Sequence, residues 1–183
     1  MDTALLVLDI QKDFIGDQAR MSVAKHQIEP MLEKVNTIIA QFNSHRIPVV
    51  YIGNKFEPHQ WIANFFRKNS AIKGSNGAEL DERLLIVNDL YFSKNKANAL
   101  SNDELVSYLN ASRVKHIVIV GLFAEGCVTA TALDSIAKNF TVTVVSDAVA
   151  SLNDKKRVKA LNALSSHGVT ITDSSQLFEV FLN

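Results

Sequence analysis

Cysteine is nearly absent: the 183-residue chain has one, Cys127. A single thiol excludes an intrachain disulfide and a multi-cysteine metal site. It leaves that sulfur as either core filler or a nucleophile. An excess of charge of one sign is also missing, with 19 Lys plus Arg against 19 Asp plus Glu. That balance gives no overall pull toward nucleic acid or anionic lipid. Long hydrophobic runs do not occur, and stretches such as Ile117–Val120 are far too short to span a bilayer. The N-terminus does not read as a secretory leader, because Asp2 follows Met1 and Asp9 interrupts the first apolar stretch. The expectation is a cytoplasmic protein with neither nucleic acid nor membrane among its partners.

What is present is a globular composition, 47% hydrophobic, and a length suited to one compact domain over residues 1–183. Apolar β-rich runs alternate with segments of helical period. Strands are expected at Ala4–Leu8, Pro48–Ile52, Leu90–Ser93, His116–Val120, Thr141–Val145 and Val169–Thr172. Helices are expected at Pro30–His45, Asp103–Ala111, Gly126–Lys138, Asp154–Ser166 and Ser174–Phe181. In the first of these, Pro30 suits an opening turn, and Met31, Leu32, Val35, Ile38, Ile39 and Phe42 form one stripe. Alternation with fully apolar strands predicts an α/β fold of three layers: a six-stranded parallel sheet, Rossmann-like, with helices on both faces. Gly53–Arg83 is the exception, a long aromatic segment holding Phe56, Trp61, Phe65 and Phe66. Loops of that length in compact domains are usually functional.

In open α/β sheets ligands bind at the carboxyl ends of the strands, where strand order reverses. Asp9 ends the first strand, Lys94 ends the third, and Cys127 follows the fourth, so three reactive groups fall on one edge. Cys127 stands in Gly121-Leu-Phe-Ala-Glu-Gly-Cys127-Val-Thr-Ala-Thr-Ala, ahead of a helix whose positive end would favour thiolate. Free backbone N–H groups there would suit an oxyanion. The alternative is a buried structural cysteine. Asp9 ends an apolar strand, where a carboxylate is costly unless paired or working. It could act as general base, or as a turn residue bonded to the following backbone. Asp13, already in the loop, reads as a turn or cap. From position alone Lys94 reads as a solvated strand-end lysine; on a catalytic edge it would lower the thiol pKa and orient Asp9.

Several motifs resemble those of the isochorismatase-like cysteine hydrolases. They are an apolar strand leading into Asp9-Ile-Gln-Lys-Asp-Phe14, the turn Lys73-Gly-Ser-Asn-Gly-Ala-Glu-Leu80, and Lys94 followed by Ala99 and Leu105. Gly121 through Glu125-Gly-Cys127-Val128 to Thr131-Ala132 and Val145-Ser-Asp147-Ala148 complete the series, in the family's order and spacing. The resemblance implies the isochorismatase-like hydrolase fold and an Asp9–Lys94–Cys127 catalytic triad. It also implies a cis peptide at Leu122–Phe123, turning the Phe123 N–H toward an oxyanion beside that of Cys127. Family members that keep the cysteine generally cleave amide or related C–N bonds, so a cofactor-free amidohydrolase acting through a thioester is implied. A homo-oligomer is implied too.

Departures bear on the substrate. Leu100 replaces the usual Phe of the lysine segment, and Ala124 the usual Thr of the cysteine motif. Nicotinamidases of the family carry Asp-x-His with further histidines for a metal; here the stretch reads Tyr51-Ile-Gly-Asn-Lys-Phe-Glu-Pro-His59. A lone His59 favours a metal-free site over a nicotinamidase. Phe14 and Trp61 are candidate pocket walls, with ordinary loop packing the alternative for Trp61. Glu125 is expected either to contact a small-molecule substrate or to face solvent. Gly74 and Gly77 lack a phosphate-loop ending and read as a turn. Lys155-Lys-Arg-Val-Lys159 reads as a solvated helix face. A non-catalytic ligand-binding or scaffold protein, and a redox-sensing thiol without a resolving partner in the chain, remain competing readings.

Overall fold

The computed structural model describes residues 2–181, with the side chains of residues 180 and 181 outside that description. Residues 1, 182 and 183 of the expected 1–183 domain lie outside the described residues. Within the described residues six strands form one sheet: β1 (Thr3–Leu8), β2 (Val49–Asn54), β3 (Tyr91–Lys94), β4 (His116–Gly121), β5 (Thr141–Val149) and β6 (Thr170–Thr172). Their order is β3-β2-β1-β4-β5-β6, and every neighbouring pair is parallel. The expected six-stranded parallel α/β sheet is therefore what forms.

Among the described residues seven α-helices accompany the sheet: α1 (Lys12–Ile15), α2 (Lys25–Ser44), α3 (Trp61–Phe66), α4 (Asp103–Ala111), α5 (Thr129–Ala137), α6 (Asp154–Ser166) and α7 (Ser174–Phe181). Alternate residues of a strand point to opposite faces, and β1 feeds two cores in this way. Leu5 and Val7 join Met31, Val35, Ile38 and Phe42 of α2 and Leu177 of α7. Ala4, Leu6 and Leu8 join Leu105 and Leu109 of α4, Ala132 of α5 and Leu164 of α6. Burial on both faces is why β1 has no polar alternation.

Four boundaries differ from the sequence expectation in ways that matter. Helix α2 begins at Lys25 rather than Pro30, because Ile28 extends the buried stripe one turn back and leaves Pro30 in the second turn. Strand β5 runs on to Val149 past the polar Ser146 and Asp147, its register shifting between Ile119 and Gly121. Asp147 is polar there because its carboxylate accepts the N–H and Oγ–H of Ser174 at the start of α7. Strand β2 extends through Gly53 and Asn54, which the sequence reading placed at the start of the long aromatic segment. The helix expected from Gly126 is split: Ala124–Val128 forms a π-turn, and α5 proper starts at Thr129. The long segment after β2 holds α3, a 3₁₀ turn at Asn76–Ala78 and bridges pairing Gln11 with Leu80 and Phe56 with Ile72.

Candidate active site

Strand order reverses between β1 and β4, the place where parallel sheets open a crevice. Asp9 leaves β1, Asn54 and Lys94 are the last residues of β2 and β3, and Cys127 lies in the π-turn after β4. The sheet thus carries four polar side chains from distant stretches of chain to one edge.

Lys94 is the hub. Its Nζ lies 2.9 Å from Asp9 Oδ2, 2.8 Å from Asn54 Oδ1 and 3.2 Å from Cys127 Sγ. Asn54 Nδ2 also reaches the sulfur, at 3.8 Å. The Lys94 and Asp9 side chains are both fully buried. Asp9 adopts φ 58°, a left-handed conformation that aspartate tolerates better than most residues. Its Oδ1 is buried and has no hydrogen-bond partner among the described residues. A desolvated ion pair is weak support for stability, and an unpartnered carboxylate oxygen adds cost. Such an arrangement points to chemistry.

Burial works against the Lys94 ammonium, but the negative charge of Asp9 and the proximity of Cys127 outweigh it and raise the pKa. Burial, joined by the Asp9 charge, pushes the Cys127 thiol up to about 12, with Lys94 opposing. The sequence expectation of a thiolate favoured by a helix terminus is corrected here. The thiol sits in the π-turn before α5, and desolvation beside a carboxylate prevails over the terminus.

Cys127 lines a cavity of about 270 Å³ together with Phe14, Met21, Phe56, Phe123 and Leu152 on its apolar side. Asn54, Arg67 and Glu125 supply its polar groups. Phe14 and Phe123 meet edge to face, ring centroids 5.3 Å apart. The Leu122–Phe123 peptide is cis. Glu125 is held by Ser151 Oγ, which donates to it at 2.6 Å, and Lys156 approaches it at 3.9 Å. Trp61, a candidate pocket wall with loop packing as its alternative, is 71% exposed on α3 and lies outside the lining of this cavity. Six residues after it, Arg67 takes the place in the wall, stacked 3.9 Å above the Phe56 ring.

Asp13, read in sequence as a turn or cap, instead lies buried within α1 and accepts the distant Ala71 N–H at 2.8 Å. Gln11 places Asn54, its side chain exchanging bonds with the Asn54 N–H and C=O at 2.8 Å each. Asn54 was missed in sequence because it fell within the long segment Gly53–Arg83, outside the expected strand. The usable signal was the Gln of the opening motif, which needs a backbone to hold. His59 is exposed. Among the described residues no group of three His, Cys, Asp or Glu side chains is placed to hold a metal ion. No described helix is long and apolar enough to cross a membrane.

A family profile for the isochorismatase domain matches residues 3–176. The chain belongs to the isochorismatase family of hydrolases. A probable inactive nicotinamidase of Arabidopsis thaliana is 29% identical over 161 residues, covering 82% of this chain and 81% of that protein. An isochorismatase-like hydrolase of Alkaliphilus metalliredigens superposes with a TM-score of 0.89 at 22% identity, over 99% of this chain and 100% of that one. N-carbamoylsarcosine amidase of Thermoplasma acidophilum superposes with a TM-score of 0.81 at 25% identity, over 95% of this chain and 97% of that one.

Proposed function

We propose that this isochorismatase-family protein is a cysteine-dependent hydrolase that cleaves an amide or related C–N bond of a small molecule through a thioester. The observation that carries the reading is Lys94 Nζ bridging Asp9 Oδ2 at 2.9 Å and Cys127 Sγ at 3.2 Å beside an apolar cavity. At rest the thiol keeps its proton, its pKa being near 12. Asp9 takes that proton as the sulfur attacks the substrate carbonyl. One anion replaces another, so the net charge around Lys94 is unchanged by the transfer. An S–C bond forms and the carbonyl π pair moves to oxygen. The N–H groups of Phe123 and Cys127, on either side of the turn after Leu122, hold that oxyanion. Its collapse breaks the C–N bond, and Asp9 returns the proton to the departing amine or ammonia. A water molecule, deprotonated by Asp9, then attacks the thioester, releases the acid and restores the thiol. Phe14 forms a substrate wall, and Glu125 marks the polar side of the pocket.

The test is ammonia release from a panel of amides, ureido acids and carbamates, nicotinamide included as the nicotinamidase-like alternative. Cys127→Ala and Asp9→Asn are each expected to lower kcat by about a thousandfold or more. Full activity in Cys127→Ala overturns the mechanism. A ligand-binding member without turnover is the second reading, favoured by the inactive designation of the Arabidopsis relative. It predicts binding in the cavity with no ammonia released from any compound.

A further inference from the structure

Arg67 sits in the wall of the Cys127 cavity with its charge unanswered. Its guanidinium lies flat on the Phe56 ring, 3.9 Å from the centroid. Nη1 is buried and finds no hydrogen-bond partner among the described residues. Among the described residues no carboxylate comes within ion-pair distance of it. Glu125, the acid that shares the cavity lining, is committed to Ser151 and Lys156. The Arg67 backbone is anchored, its N–H donating to Ala63 O and its C=O accepting from Ser70 N and Oγ. A buried guanidinium donor left unpaired costs free energy in the empty protein. A planar anion in the cavity would recover it, since the fork of an arginine matches the two oxygens of a carboxylate. Stacking on Phe56 holds that fork ready and lowers the entropy lost on binding.

We propose that Arg67 is the anion-binding group of this cavity and that the substrate carries a carboxylate. The carboxylate is joined through a short apolar spacer to the amide or ureido group presented to Cys127. The spacer follows from the walls: Phe14, Met21, Phe56, Phe123 and Leu152 are apolar, and among the described residues Arg67 is the only cation in the lining. One cation suits a monoanion. A cavity of about 270 Å³ suits a small one. The scissile group rests on the hydrolase reading; the anion does not.

Calorimetric binding of succinamate, glutaramate and adipamate, each against its uncharged diamide, to the wild-type protein and to Arg67→Gln and Arg67→Lys tests the proposal by affinity, with Cys127→Ala as the background wherever a compound is hydrolysed. Wild type is expected to bind at least one carboxylate roughly 10- to 100-fold more tightly than its diamide. Arg67→Gln should erase that preference, and Arg67→Lys should keep only part of it. Equal binding of acid and diamide by the wild type across the whole series, or no binding of either, overturns the proposal. So does a preference that survives in Arg67→Gln. The wild-type comparison stands whether or not the variants fold. Ammonia release measured alongside separates the two readings. Charge discrimination without any hydrolysis sinks the hydrolase reading alone; hydrolysis of acid and diamide with equal kcat/KM sinks the anion site alone.

Discussion

The Lys94 ammonium has three protons to donate, and Asp9, Asn54 and Cys127 take all three. This explains how a lysine side chain with no solvent exposure keeps its charge. Removing one acceptor leaves a buried charged donor unsatisfied. Asn54→Ala is therefore expected to cost about 1.5–3 kcal/mol of stability, read by urea denaturation. The lost contact also frees Lys94 to move away from the sulfur. Alkylation of Cys127 by iodoacetamide should then become slower than in the wild type at the same pH, because Lys94 is the group that opposes the upward push on the thiol. Unchanged stability would mean that Asn54 merely fills space. Gln11 acts on the same site at one remove: it holds the Asn54 backbone and, at 2.6 Å, the Ala78 carbonyl.

Between β1 and β4 the elements meet too closely for any side chain at one point. Gly121 has φ 112°, and a Cβ there would lie 2.1 Å from Leu8 O. Leu8 immediately precedes Asp9, and Gly121 immediately precedes the cis pair that leads to Cys127. This glycine therefore sets the spacing between the carboxylate and the sulfur. Gly121→Ala is expected to destabilise the fold by about 2–5 kcal/mol, through backbone strain and overpacking. Activity should fall further than stability predicts, because Asp9 is displaced with Leu8. A variant with wild-type urea midpoint and kcat would contradict this account. The segment after β2 shows the limits of reading elements from sequence. Its length marked it in sequence as a functional loop, and Phe56 and Arg67 from it line the Cys127 cavity. Which aromatic faces inward was not legible, because helix α3 turns Trp61, Phe65 and Phe66 outward, each more than two-thirds exposed.

For the molecule as a whole, the buried site links stability to alkaline pH. Burial and the Asp9 charge raise both Cys127 and Tyr91 to about 12. Lys94 is raised as well, the Asp9 charge and Cys127 overcoming its burial. Above the ordinary thiol value of 9.0 the unfolded chain releases protons that the folded chain still holds. The contribution is fully present below that pH and is lost as pH climbs toward about 12. Urea midpoints should fall progressively across this window. Cys127→Ala should flatten the early part of the fall, since it removes the group whose shift begins lowest. A flat profile between pH 9 and 12 would show that the thiol is not held protonated in the folded state.

The amino-acid sequence by itself determined the layers. Apolar runs such as Ala4–Leu8 and Ile117–Val120 have no polar alternation, and only a sheet covered on both faces accommodates them. Short-range pattern also put Asp9, Lys94 and Cys127 at strand ends. Tertiary structure decided that these groups, expected on one edge, come within bonding distance, because the order β3-β2-β1-β4 is a long-range pairing that no local period encodes. It also decided the protonation of Cys127 and the placement of Asn54 and Arg67. Burial, the charge of a neighbour and the facing of a loop helix are properties of the assembled fold. A thiol's pKa depends on what surrounds it in space, and those surroundings come from parts of the chain that pattern reading treats one at a time.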